Sequence, residues 1–582
     1  MRIANALASH CEKEDIMTTS LDANRFIHAA ALVAALFSIG ILGACSGGDS
    51  SSASAAPAPA AAKQTRLATA DEAAVPASVI RTVPRATCGP EDHPETGLQG
   101  QVPAALRAAG FKGFNCNLKL IGQYRGEGAS WQHAFYTDRD RHRCSYYDTS
   151  SPVNGTANRT HLGTVAVDTT DRRTPAPTSY LTTTSMLDPW ESLKVHERRA
   201  LLLGENGTNA AGGPELDVYD ISGDCRNPQL LASVATGTAA NGDAAALPAG
   251  EVLKGHEGNV SPDGLTWYSG DRGTPKKYTA TDITDARHPV LITTWTLPEI
   301  YPATWAVTTH GLAVSEDGRR AYVSHAAVPS LASVSPTLSP VDGVLILDTS
   351  QVQERRPNPQ ITEVSHLFWQ DGAQSQMYIP VTIKGHRYLV GTDEVGAGGG
   401  NASANVQAAC NAGLPTFPMA RIIDIDDEKH PRVASRLLLE THDPANCSAV
   451  LPDIVGLSVF TYGSHYCSVD NKHDATTLAC AYFNSGIRVF DIRDPEHPRE
   501  IAYFNPPGVV TPSYGSQHYN PNAFIKSGTA AGDPDWCTAQ LRLDAEHGTL
   551  ETTCQDNGLL VLKFENGVWP FRDSSTPPGA QN

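Results

Sequence analysis

The chain has 582 residues with 62 Asp and Glu against 44 Lys and Arg, a formal charge of −18. That balance, with no basic stretch to neutralise phosphates, argues against nucleic acid as a partner. The length allows several domains, but one repeated unit occupies most of it.

In chain order, Phe26 to Ala44 is an apolar run preceded by Arg25 and ending Leu42-Gly43-Ala44-Cys45, with Met17 as a second possible start. It has the form of a bacterial lipoprotein signal over residues 1–44, with Cys45 as the residue to be lipidated. Residues 45–80, rich in Ser, Ala and Pro, are expected to be a flexible tether. Residues 81–114 are expected as a lead segment, 115–566 as the repeated domain and 567–582 as a tail. The absence of Asp after Cys45 favours an exported outer-membrane lipoprotein, on the periplasmic or surface face, acting as a monomer.

The repeat consists of strand-like runs ending in Asp, usually with Pro seven residues on: Asp168 with Pro175, Asp220 with Pro228, Asp282 with Pro289, Asp348 with Pro359, Asp424 with Pro431 and Asp491 with Pro498. A seventh run, Leu559 to Lys563, lacks the Asp. The spacing of these positions, 52 to 76 residues, indicates radial repetition in which each unit is one small sheet. Each Asp is expected to start a turn, and each Pro to begin an edge strand. Gly343, Gly486 and Gly558 open runs and are read as positive-φ positions. Segments such as Gly486-Ile-Arg-Val-Phe-Asp-Ile-Arg-Asp-Pro-Glu-His-Pro498 and Asp342-Gly-Val-Leu-Ile-Leu-Asp348 resemble the LVIVD-repeat proteins, a secreted β-propeller family. The resemblance spans roughly Asn115 to Phe564. It implies a fold and no shared catalytic motif.

The expected fold is all-β, a seven-bladed propeller of four-stranded blades, A inner to D outer. The last blade lacks a strand D, and Asn115 to Gln123 is expected to supply it and close the ring. Of 12 Cys, ten remain after Cys11 and Cys45. Cys467 faces Cys480 across the A–B turn of blade six, and Cys537 with Cys554 repeats that placement in blade seven. Cys410 with Cys447, Cys144 with Cys225 and Cys88 with Cys116 are the remaining pairings. No CxxC, phosphate loop, nucleophile elbow or HExxH is present.

The remaining candidates are residues that the fold would gather. At or just before strand A stand His133, His256, His310 and His465, with Gln374 or Gln376 in blade five, and His518 precedes blade seven. Polar groups at the ends of strand B are Glu205, Asp271, His325, Asp393, Glu394 and Asn484, while Asp535 holds in blade seven the strand-A place of His465. Converging imidazoles and carboxylates suit copper, zinc or iron. Equally, such residues can serve as struts between blades. Two functions follow: a lipid-anchored binding or scaffold module whose rim engages an envelope protein or glycan, or a metal-dependent envelope oxidoreductase or hydrolase.

Overall fold

A computed structural model describes residues 80–149, 160–206, 214–235, 255–271, 277–296, 306–328, 341–369, 371, 374–395, 403–454, 457, 460–508 and 533–571. The leader, Cys45, the tether and His518 lie outside the described residues. The described chain forms seven antiparallel sheets, six of four strands and one of five. Blade six runs Cys467–Val469, Thr477–Ala481, Ile487–Asp491 and Arg499–Asn505 from A to D.

The repeat reads directly into packing. In Val344-Leu345-Ile346-Leu347, successive side chains point to opposite faces of the sheet. Val344 and Ile346 enter the core shared with blade five, while Leu345 and Leu347 enter the core shared with blade three. Both faces of a blade are buried, so an unbroken apolar run replaces alternation. One apolar cluster fills each of the seven interfaces, including that between blade seven and blade one around Leu559, Tyr147 and Val165.

All six repeat Asp residues accept the backbone N–H two positions on, as at Asp168 from Thr170, Asp348 from Ser350 and Asp491 from Arg493. They are turn formers. The Pro residues precede strand D; Pro498, for example, stands just ahead of Arg499–Asn505. Gly486 and Gly558 adopt φ of 75° and 65°. Gly343 corrects the expectation. It lies inside strand Val341–Asp348 without positive φ, and a Cβ there would strike the carbonyl oxygen of Leu367. Close backbone approach selects that glycine.

The closing strand is Leu118–Tyr124, paired antiparallel with Gly558–Phe564 of blade seven. The sequence assigned the whole of Asn115 to Gln123 to that role, but the segment is divided. Phe114–Cys116 instead adds a fifth strand to blade six, pairing with Asn505 to Tyr503. Asn117, at φ 58°, makes the break, and its side-chain amide donates to the carbonyls of Thr87 and Ile501. The chain therefore ties two neighbouring blades together before blade one begins.

All five expected disulfides form. Cys467–Cys480 and Cys537–Cys554 cross equivalent A–B strand pairs. Cys410–Cys447 joins two helices, Ser403–Asn411 and Cys447–Ile454, inserted around blade five. No described helix is long and apolar enough to cross a membrane.

Candidate metal centre at the head of strand A

Strand A lines the axis, and its register decides what faces it. Glu191, His256, His310 and His465 each stand four residues ahead of a valine of that strand, namely Val195, Val260, Val314 and Val469. In blades three and four the ladder slips at this point, between Gly255 and Gly258 and between Thr309 and Leu312. A bulge of this kind re-aims the extra side chain, here His256 and His310, off the sheet. Gly311 leaves room for its neighbours: a Cβ there would meet the Glu257 carboxylate and the Gln376 carbonyl.

The result is a buried cluster. His256 Nε2 lies 3.2 Å from His310 Nε2 and 3.0 Å from Glu191 Oε2. His310 Nε2 is 3.1 Å from Glu394 Oε2. His465 Nε2 is 3.2 Å from Glu191 Oε1 and 3.7 Å from Glu394 Oε1. Glu394 arrives from the end of strand B of blade five.

Surrounding groups hold these imidazoles in place. His465 Nδ1 donates to Thr538 O at 2.8 Å, which leaves the Nε2 lone pair facing the two carboxylates. His310 Nδ1 is 3.6 Å from Glu257 Oε2, and the other oxygen of Glu257 meets Lys194 Nζ at 3.3 Å. His465 is further fixed through its own backbone. Its N–H donates to Ala481 O, and the preceding Ser464 bonds Pro418 O and Asp393 O.

The charges do not cancel internally. Glu191, Glu257 and Glu394 bring three negative charges and Lys194 one positive, a formal −2 with neutral imidazoles and −1 once His310 holds a proton. Burial opposes ionisation of Glu191, but His256, His310 and His465 outweigh it and hold the carboxyl well below its ordinary range. Burial likewise opposes protonation of His310, and Glu191, Glu257 and Glu394 outweigh it, raising that imidazole well above its ordinary value. Groups at these separations share protons or hold a cation between them. Metal–nitrogen bonds of about 2.1 Å place neighbouring ligand atoms roughly 2.9–3.4 Å apart, which the four shortest contacts match, while His310–Glu191 and His465–Glu394 are longer at 3.8 and 3.7 Å.

An aromatic layer lies against His465. Trp131 and Phe483 have ring centroids 4.9 and 5.1 Å from it. Trp190, Trp536 and Phe460 extend the layer. Trp190, Phe460 and Phe483 all adopt positive φ, of 49°, 69° and 37°. Bulky residues avoid that region, at a cost on the order of 1–3 kcal/mol each. Strain thus concentrates beside the cluster and, at Trp190, on the residue before Glu191.

Of the residues singled out in sequence, His256, His310, His465 and Glu394 come together. His133 does not join them. Its Nδ1 faces Gln540 O at 3.1 Å, and burial lowers its pKa to about 4. It lines a separate cavity of about 450 Å³ further along the axis, to which all seven blades contribute. Glu205 accepts the indole N–H of Trp267 at 3.0 Å. Asp393 pairs with Arg421 and Tyr378. Asn484 donates to Pro534 O, and Asp535 accepts from the backbone of Trp536, Asp556 and Asn557. Asp271 and His325 lie in strand B of their blades, and their side chains are outside the described set.

Sequence reasoning missed Glu191, Glu257 and Lys194. The spacing to the strand-A valine would have found Glu191, because it occupies in blade two the place that histidine holds in blades three, four and six. A larger depression of about 790 Å³ lies at the A–B turn end of blades four and five. Within its lining Arg320 pairs with Glu428.

No family model matches the chain, and no curated protein matches it. Similar solved structures include a protein from Lactobacillus plantarum, 10% identical over 66% of this chain and 89% of its own, with TM-score 0.37. Sqt1 from Chaetomium thermophilum is 12% identical over 76% and 98%, with TM-score 0.38. Hydrazine synthase from Kuenenia stuttgartiensis is 12% identical over 62% and 82%, with TM-score 0.34.

Proposed function

We propose that this protein is an extracytoplasmic propeller acting as a binding module, and that the ligand at its axis is a transition-metal ion. The observation that carries this reading is the convergence of His256, His310 and His465 Nε2 with the Glu191 and Glu394 carboxylates in one buried, net-negative site. Imidazole and carboxylate donors without thiolate suit iron, zinc, manganese or copper. Thr538 orients His465, Glu257 faces His310 Nδ1 beyond hydrogen-bond reach, and Lys194 balances Glu257. Elemental analysis of untagged protein tests the reading. Wild type should carry at least one equivalent after reconstitution, and His310→Gln should carry less. Wild type that retains less than one equivalent rules the metal out.

Five disulfides support an oxidising compartment. We place the protein on the outer membrane through lipid on Cys45, with its rim free for an envelope protein or glycan. Cys45→Ser should move the protein from the membrane fraction to the soluble one. If the variant stays with the membrane, the lipid tether is wrong.

A further inference from the structure

The donor atoms do not form one shell. They form two triads, Glu191 with His256 and His310, and Glu191 with Glu394 and His465, which overlap at Glu191 and do not merge. Glu191 sends Oε2 to His256 and Oε1 to His465, at 3.0 and 3.2 Å. Glu394 repeats this, sending Oε2 to His310 and Oε1 towards His465, at 3.1 and 3.7 Å. Each carboxylate therefore divides its two oxygens between the His256–His310 pair and His465. A single ion would draw all three imidazoles to one point. Two ions about 3.5–4 Å apart, each taking one oxygen of a shared carboxylate, match this division.

We infer that the cluster is a dinuclear centre for divalent first-row metal ions, bridged by Glu191 and Glu394; this rests on the metal-binding reading above. The two positions differ in chemistry. The first has two imidazoles, His256 and His310. The second has one, His465, and is otherwise oxygen-rich.

Gln376 provides a further donor for the second position. It is fully buried, and its amide lies 3.4 Å from His465 Nε2. Its Oε1 has no hydrogen-bond partner. The amide nitrogen faces the site as placed, and turning the group over presents Oε1 instead. The nitrogen-rich position should follow the usual preference for zinc or copper, and the oxygen-rich one should accept manganese or ferrous iron more readily.

The test is manganese reconstitution of the untagged full chain, read by metal-to-protein ratio after gel filtration and by electron paramagnetic resonance. Wild type should bind two equivalents and give the multiline signal of a coupled pair. His465→Gln should retain one equivalent with an uncoupled six-line signal, and His256→Gln should lose the other position. Glu394→Gln should weaken the pair by tenfold or more, and Gln376→Ala should weaken the second position alone. Melting of each variant in chelator identifies any that fails to fold, and Glu394, 13% exposed against 1% for Glu191, gives the safer bridge variant. One equivalent in wild type overturns the dinuclear centre and leaves the metal-binding reading standing. No bound metal overturns both. Two equivalents unaffected by His465→Gln also overturn the assignment.

Discussion

Two clusters of buried charge lie close together in this propeller, and they are built to opposite rules. In the first, Arg421 donates to Asp393 at 2.7 Å and to both oxygens of Asp371, and Arg436 reaches Asp371 at 3.1 Å. Tyr378 adds a bond to Asp393 at 2.9 Å, and the Arg421 guanidinium lies over the Trp369 ring. Two guanidinium groups answer Asp371 and Asp393 and join strands of blade five, while burial beside those two acids raises the carboxyl of neighbouring Asp342 well above its ordinary range. In the second, three carboxylates and three imidazoles face one another with a single ammonium beside them. Buried ionic groups that satisfy one another report architecture. A surplus of acceptors aimed at one point reports a ligand.

Removing a charge separates the two most sharply. Arg421→Met should leave Asp371 and Asp393 undercompensated in the interior and destabilise the protein by about 3–5 kcal/mol. His310→Gln keeps a donor and an acceptor in place and should cost roughly 0–1.5 kcal/mol in chelator. Denaturant unfolding of both variants in chelator measures the difference. A cheap Arg421→Met beside an expensive His310→Gln would invert the comparison.

Metal addition acts on one cluster only. An ion at a thousand times its dissociation constant stabilises the folded state by about 4 kcal/mol. Wild type and a folded Arg421 variant should therefore both melt several degrees higher with added metal. His310→Gln should respond less, through the His465 position alone. A full metal-induced rise in His310→Gln would place the ion elsewhere.

The blades, the cross-strand disulfides of blades six and seven and the closing strand were legible in the sequence because their signals are local and repeated; the other three disulfides were paired only from the cysteines that remained. Val344 to Leu347 shows burial on both faces, and Cys467 with Cys480 shows register across one turn. The site was only half legible. Histidines at the head of strand A stand out by residue type, whereas Glu191 resembles any surface acid until it is aligned on Val195. Glu205 and Asp535 were equally plausible by position, and only the structure shows their oxygens used by Trp267 and by backbone N–H groups. The division of the closing segment at Asn117 was hidden because a left-handed asparagine carries no pattern of its own.

Acid should weaken the fold through histidines outside both clusters. His442 is fully buried, accepts from Leu439 N at Nδ1 and donates from Nε2 to Tyr462 O at 2.9 Å. Burial, reinforced by Arg488, lowers its pKa to about 4. Above pH 6.5 both the folded and unfolded forms are neutral, so this group gives no pH dependence. Between pH 6.5 and 4 the unfolded chain takes up a proton that the folded chain refuses, and stability falls as pH falls. The loss should reach up to about 3 kcal/mol for His442, with His133 acting in the same direction. His442→Gln should flatten the slope over that window in pH-dependent melting. An unchanged slope would mean that His442 is not the neutral buried group described here.

The smallest effect belongs to a third use of acids, the repeat Asp residues. Asp424 accepts from Asp426 N at 3.0 Å and forms an ion pair with the half-exposed Arg432. Its task is local: it holds the turn between strands C and D of blade five. Asp424→Ala removes one hydrogen bond to a charged acceptor and a solvent-screened ion pair, so roughly 1 kcal/mol of stability should be lost. Metal content should not change, because the axis lies at the other end of the strands' chemistry. The same variant thus checks that carboxylates in this protein are not interchangeable sources of metal affinity. A drop in bound metal on Asp424→Ala, with the fold intact, would show that the turn acids contribute to the binding measured at the axis.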